Sequence, residues 1–327
     1  METRDSAASS NAPAPAAPPR AVTLAPAATT VPDTSALPQS GVSQPTGGHG
    51  YGVTAEFYDL FHSRAYTDRA RRYLAHAASG ARRGILEVGA GTGLVTVVLG
   101  GAAAVPVHAV EPALPMRTVL LSRLATADPG LRERVVVHAT TLQVAGLEAV
   151  ADLAVCVNVA ACLPPVQRRA LWRAVAAGLL PGGWLLVDPF PRRPEVEVVR
   201  TLPAVRLGSD VYTCRTRTTP GPGDRMDMEF TYRVVRAGAR LREERESFPM
   251  WSLGREQLLA ELAEAGLYGE DGCGAAGPLR PADPGARGAG FGRGPLAVHR
   301  CTAAAAPTAG TTGAPHTTDT IGGAATA

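Results

Sequence analysis

The chain contains no lysine: all 32 basic residues are arginine, set against 29 acidic residues for a net charge of +3. With only two isoleucines and abundant Ala, Gly and Pro, this absence matches a GC-rich genome better than an arginine surface built for a purpose. A nucleic-acid binder gathers its basic residues on one face, whereas here they are spread through the chain, which argues against that class. Cysteine is scarce too. Cys156, Cys162, Cys214, Cys273 and Cys301 are odd in number and too far apart for a metal knuckle, so no metal is expected. An apolar leader is missing from METRDSAASSNAPAP, and no run reaches membrane-spanning length. A reducing cytoplasm and no membrane partner are therefore expected.

Aromatic residues are nearly absent from 1–47 and from 303–327, both dominated by small residues and threonine. Such composition buries too little apolar surface to offset chain entropy, so both segments read as disordered tails. One domain is left over 48–302.

Within it, 64–79 has helical spacing, with Gly80 ending the run. GILEV predicts a strand, 93–100 a helix and VHAVE (107–111) a second strand. Pro112 suits the first turn of a helix reaching about 125. RVVVHA (134–139) and DLAVCVNV (152–159) predict two more strands, with Asp152 structural at the start of the latter. PVQRRALWRAVAAGLL (165–180) is amphipathic, with Val166, Ala170, Leu171, Ala174 and Val175 on its apolar side. It stops at Pro181-Gly182-Gly183, before a fifth strand at WLLVDPF (184–190). Apolar strands alternating with helices define an α/β fold: a Rossmann-like, doubly wound, mostly parallel sheet. The period then changes. Extended pieces at 211–220, 226–235 and 241–251 alternate charged and apolar residues, a three-stranded antiparallel insertion after the fifth strand. A helix over 255–267 and a strand at 295–301 close the domain.

ILEVGAGTGLVTVVLG (85–100) places three glycines between two apolar runs. Glycine inside an element is costly, so the cluster serves either tight strand–helix packing or close approach of backbone to a ligand. Ligands of open parallel sheets bind beyond the carboxyl ends of the strands, where this loop lies. A dinucleotide fingerprint fits poorly, because Leu94 stands at its sixth position. Glu111, ending the second strand, has the geometry to accept both hydroxyls of a ribose.

ILEVGAGTG followed by VHAVEP resembles the nucleotide motifs of class I S-adenosylmethionine-dependent methyltransferases, over about 54–270. The resemblance implies that Glu87 helps hold the amino end of S-adenosylmethionine. It also implies that Val88, Gly89, Ala90, Gly91 and Gly93 form the loop along its methionyl part, and that Glu111, followed by Pro112, binds the ribose. Thr140, with Thr141, stands where the family often has the Asp that reaches the adenine amine. Asn158-Val159-Ala160 match the stretch beneath the transferred methyl.

Methyl transfer needs positioning first, and a base only when the nucleophile arrives protonated. The catalytic candidates are Tyr58 and His62, in a segment that often forms a lid in the family, and Asp188 at the end of the fifth strand. Tyr58-Asp59, with Tyr66 two turns on, resembles the lid region of bacterial small-molecule N-methyltransferases, where tyrosine hydroxyls orient an amine. The same aromatics serve equally to pack the first helix on the sheet. Asp188 either binds an ammonium, acts as base, or caps the following loop. His108 and His138 read as core or edge residues. The insertion at 211–251 resembles that of amino-sugar N-methyltransferases, where it roofs the acceptor pocket and mediates subunit contact. Met226, Met228, Phe230, Tyr232, Phe248 and Trp251 either line that pocket or bury the insertion; the outward charges read as a solvated face. The expected activity is methylation of an amine on a small-molecule or modified-peptide natural product. The alternatives are an O-methyltransferase, with His62 or Asp188 as base, and a silent cofactor-binding partner subunit.

Overall fold

The computed structural model describes residues 50–188, 190–269 and 296–300. Both expected tails, Cys273, Cys301 and Pro189 lie outside them. Short, mostly apolar runs become β1 (Ile85–Val88), β2 (Val107–Val110), β3 (Val135–His138), β4 (Ala151–Cys156) and β5 (Leu179–Val187). These five run parallel in the order β3-β2-β1-β4-β5. Beyond β5 the sheet continues antiparallel through β12 (Leu296–Arg300) and β11 (Leu267–Gly269). The chain winds outward from β1 to β3, then returns to place β4 on the other side of β1. That reversal opens a crevice at the carboxyl ends of β1 and β4.

Helices cover both faces. Leu86, Val88, Ala154, Leu185 and Val187 pack with Leu171, Trp172 and Val175 of α7 (Pro165–Gly178) and with Leu258 and Leu262 of α8 (Arg255–Ala263). On the opposite face Ile85, Val107, Val155 and Leu186 meet Ala70 of α1 (Thr54–Tyr73), Ala77 and Ala78 of α2 (Ala75–Gly80), and Leu99 of α3 (Leu94–Ala102). Asp152 proves structural: its carboxylate accepts the backbone N–H groups of Arg82, Arg83 and Gly84 and so fixes the entry to β1.

Five expectations need correction. The fifth strand, expected at 184–190, begins at Leu179, where α7 has already ended, runs through Pro181-Gly182-Gly183 and stops at Val187. The helix expected at 64–79 begins ten residues earlier, at Thr54, and breaks at Leu74. Pro112 is not in a first helical turn: α4 (Leu114–Ala125) begins two residues later, with Pro115 in that position, because the Glu111 side chain holds the Ala113 N–H in a turn at 2.7 Å. Val166 is 76% exposed, and the buried side of α7 instead carries Arg168, ion-paired with Glu261 of α8 at 2.7 Å. Finally, the insertion has five strands, not three. The expected meander is present as β8 (Asp210–Pro220), β9 (Arg225–Arg236) and β10 (Ala239–Trp251), and the short β6 (Val198–Thr201) and β7 (Val205–Leu207) pair with β8. Neither short strand shows the clear alternation that marks the longer three.

The insertion and α1 hold one another. Phe57 stacks on Tyr232 of β9 at 4.5 Å, within a cluster that includes Cys214, Val234 and Phe230. Phe230 and Tyr232 therefore bury the insertion against α1, and Met226 is buried as well. The start of α1 lacks a side-chain cap of its own. Glu246 of β10 supplies one, accepting the Gly52 N–H at 3.0 Å and the Thr54 N–H at 2.7 Å. A carboxylate on unpaired N–H groups at a helix N-terminus is favoured by hydrogen bonding and by the helix dipole. On the outer side of this sheet the charges pair among themselves, as Arg233 with Glu243 at 2.6 Å, in keeping with a solvated face.

Candidate active site

Gly89, Gly91 and Gly93 all have positive φ, at +69°, +58° and +84°. A side chain is strained in that region, so the loop between β1 and α3 requires glycine at alternate positions. Their surroundings differ, which divides the two reasons for glycine. A Cβ on Gly89 would lie 2.1 Å from Val159, and one on Gly93 would lie 2.6 Å from Leu120. Those two glycines permit packing. At Gly91 nothing lies within 4 Å. That position faces open space, where a ligand can touch the backbone.

The space is a pocket of about 380 Å³, counted with the solvent it opens to, over the carboxyl ends of β1 and β4. Of the residues expected to bind cofactor, Glu87, Val88, Gly89, Ala90, Gly91 and Asn158 line it. Gly93, Glu111, Pro112, Thr140, Thr141 and Val159 do not. Glu111 stands just behind the loop: one carboxylate oxygen accepts the Gly91 N–H at 2.7 Å and the other the Ala113 N–H. Val159 backs Gly89, Pro112 is exposed, and Thr141 precedes a single helical turn, α6 (Leu142–Ala145).

Glu87 is the unusual member. It is 3% exposed, and its Oε2 has no hydrogen-bond partner of standard geometry among the described residues. Burial pushes its pKa up to about 8; the Thr96 hydroxyl partly offsets this, and the Glu111 charge adds to it. A buried carboxyl oxygen without a partner is costly, so this group is neutral or lacks a cation.

Roofing the pocket is α1. Tyr58, His62 and Tyr66 stand four residues apart on one helical face, with ring centroids 4.9 Å apart for Tyr58–His62 and 5.0 Å for His62–Tyr66. Both tyrosines line the pocket; His62 does not. Burial raises both phenols and lowers the His62 imidazole, which Asp59 partly opposes. Asp188 lies in an adjoining pocket with Tyr66 and Arg69. The Arg69 guanidinium binds it with two hydrogen bonds, at 2.6 and 3.3 Å, and the Asn158 N–H donates to it at 3.3 Å. Burial raises the Asp188 carboxyl above its ordinary value, and the Arg69 charge opposes that shift. Asn158 has φ of +59°, so this contact holds a strained residue at the pocket floor.

Sequence reasoning missed Arg69, and it gave Asp59 no role beyond the lid motif. A signal was present: Tyr58, His62, Tyr66 and Arg69 follow one another at intervals of four, four and three. Beginning the helix at 64 hid that face. His108 and His138 lie side by side on β2 and β3, with ring nitrogens 3.2 Å apart, away from the pocket.

A parallel sheet with this reversal, a glycine turn after β1 and an acid ending β2 constitute the class I S-adenosylmethionine-dependent methyltransferase fold. No protein-family model and no curated protein matches the chain. Among solved structures it is similar to the S-adenosylmethionine-bound CalS10, an amino pentose methyltransferase of calicheamicin biosynthesis from Micromonospora echinaspora. The two are 26% identical over 73% of this chain and 89% of that one, with a TM-score of 0.54. The sugar N-methyltransferase KedS8 from Streptoalloteichus sp. shares the fold at 22% identity, over 82% of this chain and 99% of its own, with a TM-score of 0.56. DesVI from Streptomyces venezuelae does so at 19% identity, over 75% and 96%, with a TM-score of 0.57. Among the described residues, no helix is long and apolar enough to cross a membrane.

Proposed function

We propose that the chain is an S-adenosylmethionine-dependent methyltransferase acting on an amine of a small-molecule or peptide natural product. The observation that carries this reading is the pocket itself. A buried carboxyl oxygen of Glu87 without a partner suits a cationic amino group, and the open backbone at Gly91 suits a ligand lying against the loop. Glu111, behind that loop, already accepts the Gly91 and Ala113 N–H groups, and each of its oxygens keeps a lone pair that a ribose hydroxyl could use. When bound, the cofactor supplies a methyl group on a sulfonium, an electrophile that needs no further activation.

The protein's own part is to bind, orient and exclude water. Tyr58 and Tyr66 keep their protons, since burial raises both phenols. Tyr58 donates to Tyr66, and the phenol oxygens can accept N–H groups of an acceptor amine, leaving its lone pair free. Asp188, already bound to Arg69 and to the Asn158 N–H, has its carboxylate oxygens engaged in fixing the pocket floor. An amine acceptor can lose its proton to solvent and needs no base, which fits this arrangement. The likeness to amino-sugar enzymes supports the same acceptor class.

Incubation with methyl-labelled cofactor and a panel of amino sugars and amine-bearing peptides, read by mass spectrometry, is expected to place the label on nitrogen. A label found only on oxygen would remove the amine reading. One observation favours that second reading: burial lowers the His62 imidazole against the opposing Asp59 charge, which favours the neutral form a base requires. The two separate by mutation. If an amine is methylated, His62→Ala and Asp188→Asn each lower kcat less than about tenfold; loss of a general base costs about 100- to 10,000-fold.

A further inference from the structure

The glycine loop alone does not hold its shape. Three left-handed glycines give the unfolded chain wide freedom, so a fixed loop must be tied down by its neighbours. Thr92, between Gly91 and Gly93, is 1% exposed. Its hydroxyl donates to Asp59 Oδ1 on α1 at 2.6 Å. Its carbonyl accepts from Arg123 Nε on α4 at 2.8 Å. Arg123 closes the triangle by pairing its Nη2 with the other oxygen of Asp59. The arginine stem also packs where a Cβ on Gly93 would stand, 3.4 Å away.

We propose that Asp59 is a positioning residue for the cofactor, acting through Thr92 and Arg123 to hold Gly91 to Gly93 in the shape that receives it. This rests on the methyltransferase reading. Both ends of one loop residue are held from outside by charged groups, and charge-assisted bonds are the stronger kind. Without them the loop must be ordered at the moment of binding, and that ordering weakens affinity. The anchor comes from α1, the helix that also bears Tyr58 and Tyr66.

The test is calorimetric titration of S-adenosylhomocysteine into wild type, Asp59→Ala, Thr92→Val, the double variant and Thr92→Ser, with thermal unfolding of each. Asp59→Ala and Thr92→Val are each expected to raise Kd about tenfold. The double variant is expected to be little worse than either single, since residues acting as a unit are not additive. Thr92→Ser keeps the hydroxyl and is expected to bind like wild type, a rescue that a merely space-filling role for Thr92 does not give. Wild-type binding with unchanged Kd in folded Thr92→Val overturns the inference alone. Failure of wild type to bind overturns the methyltransferase reading and the inference together.

Discussion

Replacing Glu111 by Ala is expected to weaken binding of S-adenosylhomocysteine by about 100- to 1,000-fold. Two effects combine. A carboxylate holding two ribose hydroxyls makes charged hydrogen bonds worth about 1.5–3 kcal/mol each. The same carboxylate accepts the Gly91 N–H at 2.7 Å, so its loss also frees the loop. Glu111→Gln, which keeps one carbonyl acceptor, is expected to fall between wild type and Ala. Calorimetry on folded variants checks the order. Unchanged affinity in Glu111→Ala would remove the nucleoside assignment and the acceptor chemistry with it.

The second large effect is on pH dependence. Glu87 titrates near pH 8 in the folded protein without ligand, against 4.5 for the ordinary carboxyl. Between those values the unfolded chain has lost the proton and the folded chain keeps it. The stability contributed by this group is therefore complete below about pH 4.5, declines as pH rises, and is gone above about 8. Ligand binding runs the other way, because only the ionised carboxylate attracts an ammonium. Affinity for S-adenosylhomocysteine is expected to tighten by up to about tenfold per pH unit from pH 6 to 8, with release of one proton. Titrations in two buffers of different ionisation enthalpy count that proton. Glu87→Gln is expected to bind weakly at every pH and release none; a wild-type titration without proton release would rule out the linkage.

The central sheet was legible because buried parallel strands leave short, mostly apolar runs, as at 85–88 and 107–110, bounded by glycine or an acid. The long meander was legible from its two-residue period. Its short companions at 198–201 and 205–207 were not, since four residues or fewer hold too little of any period. The start of α1 was hidden for another reason. Its first turns lie between two layers, so Phe57 and Phe61 face one way and Tyr58 and Tyr66 another. A helix apolar on two sides has no clear polar stripe to mark it. Arg168 shows the same limit: an arginine reads as surface until the carboxylate that neutralises it, 93 residues away, is brought beside it.

Of the candidate site, the nucleotide motifs were legible as a group, because their spacing carries the chemistry. The separate tasks of the three glycines were not, since they depend on Val159 and Leu120, which only the folded chain brings near. Asp188 showed only its place at a strand end; the Arg69 pairing that shapes its role spans 119 residues.

The Glu246 contact with the start of α1 spans more than 190 residues. On the ribosome, where the amino-terminal part emerges first, residues 52–54 exist long before the carboxylate that completes their helix. The strand placed beside β5 is likewise made after everything it joins. The first helix of this domain thus waits for its last long strand, and a nascent chain halted near residue 240 would expose α1 without the carboxylate that caps it.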